Sequence, residues 1–144
     1  MIKEATLDQA SAAAHLALLL WPGNDLQEFV QNMEDVITNQ NSTIFLAFND
    51  GEPIGFAQCQ LRFDYVEGTH STPVGYLEGL YVVEASRRQH FAQQLVQACE
   101  HWAKTKGCTE FASDCELSNQ DSINVHLKLA FTEANRIVCF TKKL

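Results

Sequence analysis

An apolar stretch in the middle of the chain leads directly into a long helix pattern. Val74 to Val83 is strongly apolar and is typical of a buried strand. Ser86 with Gln89 forms a capping box, which predicts a helix that runs to Lys106 and ends at Gly107. A strand that feeds a helix in this way indicates a domain of mixed strands and helices.

The remaining patterns complete the order of elements. Thr6 and Gln9 form a second capping box and predict a helix that ends near Leu20, while Asn24 is the predicted cap of the next helix. Residues 49–51, Asn-Asp-Gly, predict a hairpin turn. We expect one α+β domain over residues 1–144, with a mixed sheet and the order βααβββαβαβ. The other predicted elements are the strands Ile2 to Thr6, Ser42 to Phe48, Pro53 to Phe63, Glu110 to Asp114 and Arg136 to Thr141, and the helix Asn119 to Leu129.

The charge of the chain excludes some classes of partner. Its 144 residues include 10 lysines and arginines against 18 aspartates and glutamates, which gives a net charge of −8. Proteins that bind nucleic acid normally present a basic face, so we expect no nucleic-acid partner. An acidic chain attracts cations, and a cationic substrate fits this sign. No apolar run approaches the ~20 residues that span a bilayer, so we expect no membrane segment.

The cysteines and histidines point away from metal chemistry. The chain has five cysteines, an odd number, and none of them is spaced C-x-x-C. This usage argues against a disulfide framework and against a zinc site, and it favours a reducing cytoplasm. The histidines form no ligand cluster, so we expect no metal.

An anion-binding site is one interpretation of the start of the central helix. The first N–H groups of a helix have no partner within the helix, and its dipole is positive at that end. Arg87 and Arg88 add positive charge at the same place. Together these features suit a phosphate or a pyrophosphate; the alternative is a solvated helix start with incidental arginines.

Two carboxylates lie on the predicted strands on either side of this helix in the sequence. Glu78 lies mid-strand in an apolar segment, where a lone carboxylate is costly to bury. It either receives a cationic substrate or faces solvent at a strand edge. Asp114 ends the next predicted strand, and it is either part of the same cleft or a turn residue.

The segment that contains these arginines resembles the phosphate-binding loop of the GNAT acetyltransferases, which reads R/Q-x-x-G-x-G/A. Arg87 and Ala92 match this loop, whereas His90 stands at a glycine position. The rest of the family pattern follows at the expected distance as Asn119, Ser122, His126 and the pair Ala130-Phe131.

Five further segments, in the same order along the chain, resemble the aminoglycoside 6′-N-acetyltransferases within that family. They are Leu20 to Gly23, Phe63 to Val66, Ser71 to Val74, Leu77 to Val82 and Ala112 to Asp114. The resemblance covers essentially the whole chain. It implies a fold in which the fourth and fifth strands splay apart around acetyl-CoA.

The resemblance also implies which residues hold the acetyl donor. Backbone groups of Leu80, Tyr81 and Val82 would hold the pantetheine arm, with the Val82 N–H near the thioester oxygen. Asn119 would contact CoA further along. The pyrophosphate would lie on the amides of Arg87, Arg88, Gln89, His90, Phe91 and Ala92.

The implied reaction is direct attack by the 6′-amino group of an aminoglycoside on acetyl-CoA in a ternary complex, which gives antibiotic resistance. Asp114 would be the closer contact to the reacting amine, and Glu78 a more distant or water-mediated partner. Trp21 and Tyr65 would frame the substrate, although Trp21 by its position also suits an ordinary core residue at a helix end. The alternatives are transfer to another amine, such as a polyamine or a protein N-terminus, and a non-catalytic acyl-CoA sensor.

Assembly is the last expectation from the sequence. The predicted strand Arg136 to Thr141 is apolar, and an uncovered edge strand tends to pair with another chain. We therefore expect a homodimer, in which the turn around Asn135 reaches the substrate cleft of the neighbouring subunit.

Overall fold

A five-stranded sheet forms the centre of the computed structural model, which describes residues 1–144. The first four strands pair with their neighbours in antiparallel fashion, and the last pair is parallel. This arrangement confirms the predicted α+β fold with a mixed, mostly antiparallel sheet. In spatial order the strands are β1 (Ile2–Glu4), β2 (Ser42–Asn49), β3 (Glu52–Arg62), β4 (Val74–Val82) and β5 (Phe111–Ala112).

Helices cover both faces of the sheet. They are α1 (Ala10–Leu20), α2 (Leu26–Thr38), α3 (Phe91–Thr105) and α4 (Gln120–Lys128). Successive residues of a strand point to opposite faces. Phe56 of β3 is buried among apolar residues of α1 and α2, and its neighbour Ala57 is buried in the cluster that α3 contributes to. Both faces of the central strands therefore lie in a hydrophobic core.

Two helices begin later than the sequence predicts. The cap of α2 is Asp25 and not Asn24, because the Asp25 side chain accepts a hydrogen bond of 3.0 Å from the Glu28 N–H. The predicted start of α3, with Ser86 as its cap, is also wrong, because Ser86 ends a short 3-10 helix (Glu84–Ser86) and α3 begins at Phe91. Arg88 and His90 then have φ angles of +63° and +68°, which a right-handed helix cannot contain.

The predicted last strand, Arg136 to Thr141, is wrong for the isolated chain. Residues 132–144 have no regular secondary structure, and their backbone makes no hydrogen bond to the rest of the protein. A strand requires a neighbouring strand to pair with, and this segment pairs with none in the isolated chain. Strand β5 is also shorter than the predicted Glu110 to Asp114. None of the helices has the length and the apolar character that crossing a membrane would require.

Candidate active site

The sheet opens where β4 and β5 part. The two strands pair only at Gly75 with Phe111 and at Tyr76 with Ala112. Beyond these pairs no backbone hydrogen bond joins the two segments, and the Ser113 hydroxyl makes only a long contact of 3.4 Å with the Leu77 carbonyl. From this point to its end, β4 has a neighbour strand on one side only. The predicted splaying of the fourth and fifth strands is confirmed.

Glu78 lies in a β-bulge at the opening. Leu77 pairs with Cys59 and Gly79 pairs with Gln58, so Glu78 is the extra residue on its strand. A bulge re-aims the side chain that it carries. The Arg62 guanidinium receives this carboxylate, with Nη2 at 2.8 Å and 3.0 Å from its two oxygens and Nε at 3.1 Å. The negative charge of Glu78 is therefore already paired within the chain.

Asp114 is held by a different residue. The Tyr76 hydroxyl donates a hydrogen bond to Asp114 Oδ2, and the Tyr76 ring lies 3.5 Å beneath the Arg62 guanidinium carbon. Burial raises the pKa of Tyr76, and the hydrogen bond to Asp114 raises it further, so the hydroxyl keeps its proton and remains a donor. Asp114 itself is exposed. Of the two predicted carboxylates, Asp114 is the one open to a ligand.

Asp114 lines a cleft of about 940 Å³. Tyr65 and Asn135 line the same cleft; Tyr65 is 76% exposed, and the Asn135 amide donates to Glu67 at 2.6 Å. The lining is acidic, with Glu67, Glu100, Glu110, Asp114, Glu116 and Glu133 against Arg62 and Arg136. Both arginines are already in ion pairs with glutamates. The open charge of the cleft is negative, which suits a cation.

Trp21 lies apart from this cleft lining. Its indole packs edge-on against Phe29 and Phe56, each at a centroid distance of 6.1 Å. It also lies directly on Gly79, where an added Cβ would be 2.6 Å from the ring. The structure thus brings Tyr65, Asp114 and Asn135 together, while Trp21 stands next to the Glu78 bulge.

The predicted donor-binding residues lie along the open part of β4 and in the loop after it. Leu80 and Tyr81 are half-buried and Val82 is buried. Arg87 Nε donates to the Val82 carbonyl at 2.8 Å, which ties the loop to the end of the strand. Arg88, Gln89 and His90 are exposed before the helix, and Phe91 and Ala92 form its first turn. The predicted pyrophosphate site is therefore mainly the loop before α3. The helix itself contributes only Phe91 and Ala92 to it.

Asn119, which the resemblance predicts to contact CoA, also has a structural role. Its Oδ1 accepts a hydrogen bond of 3.1 Å from the Ser122 N–H and so caps α4. The side-chain amide nitrogen remains outside this contact. No group of three or more histidine, cysteine, aspartate or glutamate side chains is arranged to hold a metal ion.

Sequence reasoning missed Arg62 and Tyr76. One signal was available for Tyr76, because it stands two residues before Glu78 and alternate residues of a strand share a face. No comparable signal marks Arg62, since its contact with Glu78 depends on the pairing of β3 with β4. Arg62 pairs with Glu78, whereas Tyr76 holds Asp114 and leaves its charge open to a ligand.

A model described as the acetyltransferase (GNAT) family matches residues 10–131. The chain belongs to this family. It is therefore an acetyltransferase that uses acetyl-CoA, as the resemblance implied, and the single domain with its splayed strands is the fold of a GNAT enzyme.

Individual relatives cover nearly the whole chain. An aminoglycoside N(6′)-acetyltransferase type 1 from Serratia marcescens is 38% identical over 138 residues, which is 95% of this chain and 94% of the relative. The structure of AAC(6′)-Iy in complex with a bisubstrate analog, CoA-S-monomethyl-acetylneamine, superposes with a TM-score of 0.96 at 34% identity and covers 100% of this chain and 98% of that one. The aminoglycoside 6′-N-acetyltransferase AAC(6′)-Ih from Acinetobacter baumannii superposes with a TM-score of 0.95 at 39% identity, and the match covers 100% of this chain and 98% of that one.

Proposed function

We propose that this GNAT enzyme transfers the acetyl group of acetyl-CoA to the 6′-amino group of aminoglycosides. The observation that carries the proposal is the acidic cleft in which Asp114 is the open carboxylate beside the splayed strands. Aminoglycosides are polycations with sugar rings, so the sign of the cleft fits them. The curated relatives, named as aminoglycoside N(6′)-acetyltransferases, support this substrate class. Resistance to these antibiotics would follow from their acetylation.

The chain offers a fitting cradle for the acetyl donor. The outer edge of β4 beyond Leu77 pairs with no strand, and backbone groups on such an edge can hydrogen-bond a pantetheine amide arm. The residues from Arg87 to Ala92 supply backbone N–H groups, two guanidinium groups and the positive end of the α3 dipole to a pyrophosphate. The thioester carbonyl of acetyl-CoA would then lie at the opening between β4 and β5, beside Asp114. Val82 is five residues along β4 from Leu77, too far from Asp114 for its N–H to reach that carbonyl, so we assign the Val82 N–H to the pantetheine arm.

Asp114 performs the central step in this mechanism. The substrate amine arrives as an ammonium, because an alkyl amine has a pKa of about 10. Asp114 binds the ammonium and accepts or relays its proton, so that the amine lone pair becomes free to attack. Tyr76 holds the carboxylate in place through its hydroxyl. Glu78, already paired with Arg62, shapes the site and does not take the proton.

The aromatic and amide side chains hold the rest of the substrate. Tyr65 presents an exposed ring at the rim of the cleft, where it can pack on a sugar. Trp21 does not line the cleft; it packs on Gly79 and so supports the strand beside the Glu78 bulge. Asn135, together with Glu67, offers polar groups to the ammonium groups farther from the reacting amine.

The test is acetyl-CoA turnover, followed by release of the CoA thiol, with matched amines. Neomycin carries a 6′-amine, and paromomycin carries a hydroxyl at the same position, so the pair isolates that group. We expect turnover with neomycin and with tobramycin and only background with paromomycin. Turnover that is equal with neomycin and paromomycin contradicts the 6′ assignment. Faster turnover with spermidine or a lysine peptide favours the alternative amines, and no turnover with any amine favours the acyl-CoA sensor.

We also propose that the enzyme is a homodimer in which a second copy covers the carboxyl-terminal segment. Ile137, Val138 and Phe140 are 63%, 75% and 90% exposed, and their backbone lacks partners. Pairing with a neighbouring subunit would satisfy these groups. Asn135, which the sequence predicts to reach the neighbour's cleft, lines the cleft of its own chain instead. Light scattering at micromolar concentration should show a dimer that Val138→Glu disrupts, whereas Leu19→Glu, at an exposed apolar residue outside this segment, leaves it intact. A monomeric native chain contradicts this assembly.

The compartment we propose is the cytoplasm. All five cysteines are free thiols in the structure. Thiols are kept in this state by the reducing conditions of the cytosol.

A further inference from the structure

A serine and a histidine outside the proposed mechanism form a close pair in the cleft. Ser113 follows the last paired residue of β5, and His126 lies on α4. The Ser113 hydroxyl is 2.8 Å from His126 Nε2, and both residues line the cleft next to Asp114. The other ring nitrogen, Nδ1, is 2.7 Å from the Ser122 carbonyl.

These contacts fix the roles of the two ring nitrogens. A carbonyl oxygen only accepts hydrogen bonds, so His126 Nδ1 carries the hydrogen. In the neutral ring Nε2 is then an acceptor, and the Ser113 hydroxyl donates to it. A hydroxyl that donates to an imidazole, which in turn is oriented by a third group, is the arrangement that activates a serine nucleophile. Here the third group is the Ser122 backbone carbonyl.

The position of Ser113 places this nucleophile where the two strands part. Its Oγ is 3.4 Å from the Leu77 carbonyl, the first backbone group of β4 beyond the paired region. This is the edge along which we propose that acetyl-CoA binds, and the inference rests on that part of the proposed function. It does not depend on the identity of the amine substrate. The nearby Cys115 is exposed and has no base as a partner.

We propose that Ser113 is a second acetyl acceptor, which the enzyme uses when no amine is bound. Ser113 Oγ attacks the thioester carbonyl of acetyl-CoA, and His126 Nε2 takes the hydroxyl proton. The carbon–sulfur bond breaks, the thiolate receives that proton from the imidazolium, and the acetyl group remains as an ester on Ser113. A water molecule, deprotonated by the same Nε2, hydrolyses the ester to acetate and restores the hydroxyl. The net side reaction is slow hydrolysis of acetyl-CoA to acetate and CoA.

The experiment uses the full chain with acetyl-CoA and no amine. Intact-mass spectrometry counts added acetyl groups, peptide mapping locates them, and release by hydroxylamine distinguishes an ester or thioester from an amide. We expect one acetyl group on Ser113 in the native chain and in Ser118→Ala, a matched change in the same loop region. His126→Gln, which can hydrogen-bond but is not a base, should slow the labelling on the order of 100-fold.

Ser113→Ala should carry no acetyl group, and a second variant keeps the test decisive if that change makes the chain unstable. Ser113→Cys retains a nucleophile at the position and should carry the acetyl group as a thioester. A native chain that turns over neomycin and yet carries no acetyl group on Ser113 overturns the inference while leaving the proposed function intact. Labelling at Cys115 or at a lysine, or labelling of Ser113 that is as fast in His126→Gln as in the native chain, also overturns it.

Discussion

Tyr76→Phe removes the hydroxyl that holds Asp114 and changes little else. The ring that lies 3.5 Å beneath the Arg62 guanidinium stays in place. Asp114 loses the one hydrogen-bond donor that the protein gives it. A hydrogen bond to a charged group contributes roughly 1.5–3 kcal/mol, and the exposed position of Asp114 lets water replace part of it. We therefore expect kcat/KM for the aminoglycoside to fall about 10-fold, which corresponds to about 1.4 kcal/mol.

A double-mutant cycle decides whether this loss acts through Asp114. Asp114→Ala alone should lower kcat/KM by on the order of 100-fold, or about 2.7 kcal/mol. Because Tyr76 has no role without the carboxylate, the double variant should be no worse than Asp114→Ala alone. The assay is steady-state thiol release with the aminoglycoside varied and acetyl-CoA saturating. Additive losses, with the double variant about 1,000-fold impaired, would refute the coupling.

The same variant has a second consequence at alkaline pH. The pKa of Tyr76 is raised in the folded state, so the hydroxyl stays protonated after the unfolded chain has lost its proton at about pH 10. The contribution of Tyr76 is complete below that pH and is lost as the pH rises towards the folded pKa, by about 1.4 kcal/mol per pH unit. Urea unfolding above about pH 10 should therefore show a steeper loss of stability in the native protein than in Tyr76→Phe. Parallel curves would contradict the burial argument.

Three other changes have defined outcomes. Arg62→Met should lower kcat/KM about fivefold, because the partly exposed ion pair with Glu78 contributes roughly 1 kcal/mol. Arg62→Lys should not restore the activity, since lysine cannot form the two-pronged contact. Native-like kinetics in either variant would contradict this role of Arg62. Gly79→Ala places a Cβ 2.6 Å from the Trp21 ring, so it should lower the free energy of unfolding by about 1–3 kcal/mol and raise the KM of the aminoglycoside, as measured by urea unfolding and kinetics. His90→Gly should raise the free energy of unfolding by about 1 kcal/mol, because His90 has a φ angle of +68°. It should change the KM of acetyl-CoA no more than a few-fold. Acetyl-CoA binding that appears only in the glycine variant would refute this expectation.

Local sequence patterns predict the structure correctly where the contacts that determine it are between residues close in sequence. The hairpin between β2 and β3 turns at Asp50 and Gly51, whose φ angles of +50° and +81° are those that Asp-Gly readily adopts. The capping box at Thr6 forms as predicted, with the Thr6 N–H donating to Gln9 Oε1 at 2.9 Å. In both cases the residues that determine the geometry are within a few positions of each other. Their sequence alone therefore predicts the structure.

The candidate site depends on contacts that no local pattern encodes. Tyr76 and Asp114 are 38 residues apart and meet because β4 and β5 run parallel. Glu78 is aimed by a bulge whose position depends on how β3 pairs with β4. The predicted last strand failed for a related reason, since an apolar β-rich sequence does not specify where its partner strand lies. Two acids could be identified from the sequence, but not which of them is already neutralised.

The two positions where the family pattern has glycine show how this chain departs from it without losing the geometry. His90 and Ala130 have φ angles of +68° and +69°, so both keep the left-handed conformation that glycine adopts freely. The backbone N–H groups of the loop are oriented by these angles and not by the side chains. Because His90 is exposed, its ring can point into solvent and leave the approach to the backbone open. The substitution therefore costs conformational stability, on the order of 1 kcal/mol, and leaves the anion-binding backbone in place. A non-catalytic sensor is for this reason the weaker explanation of the missing glycines.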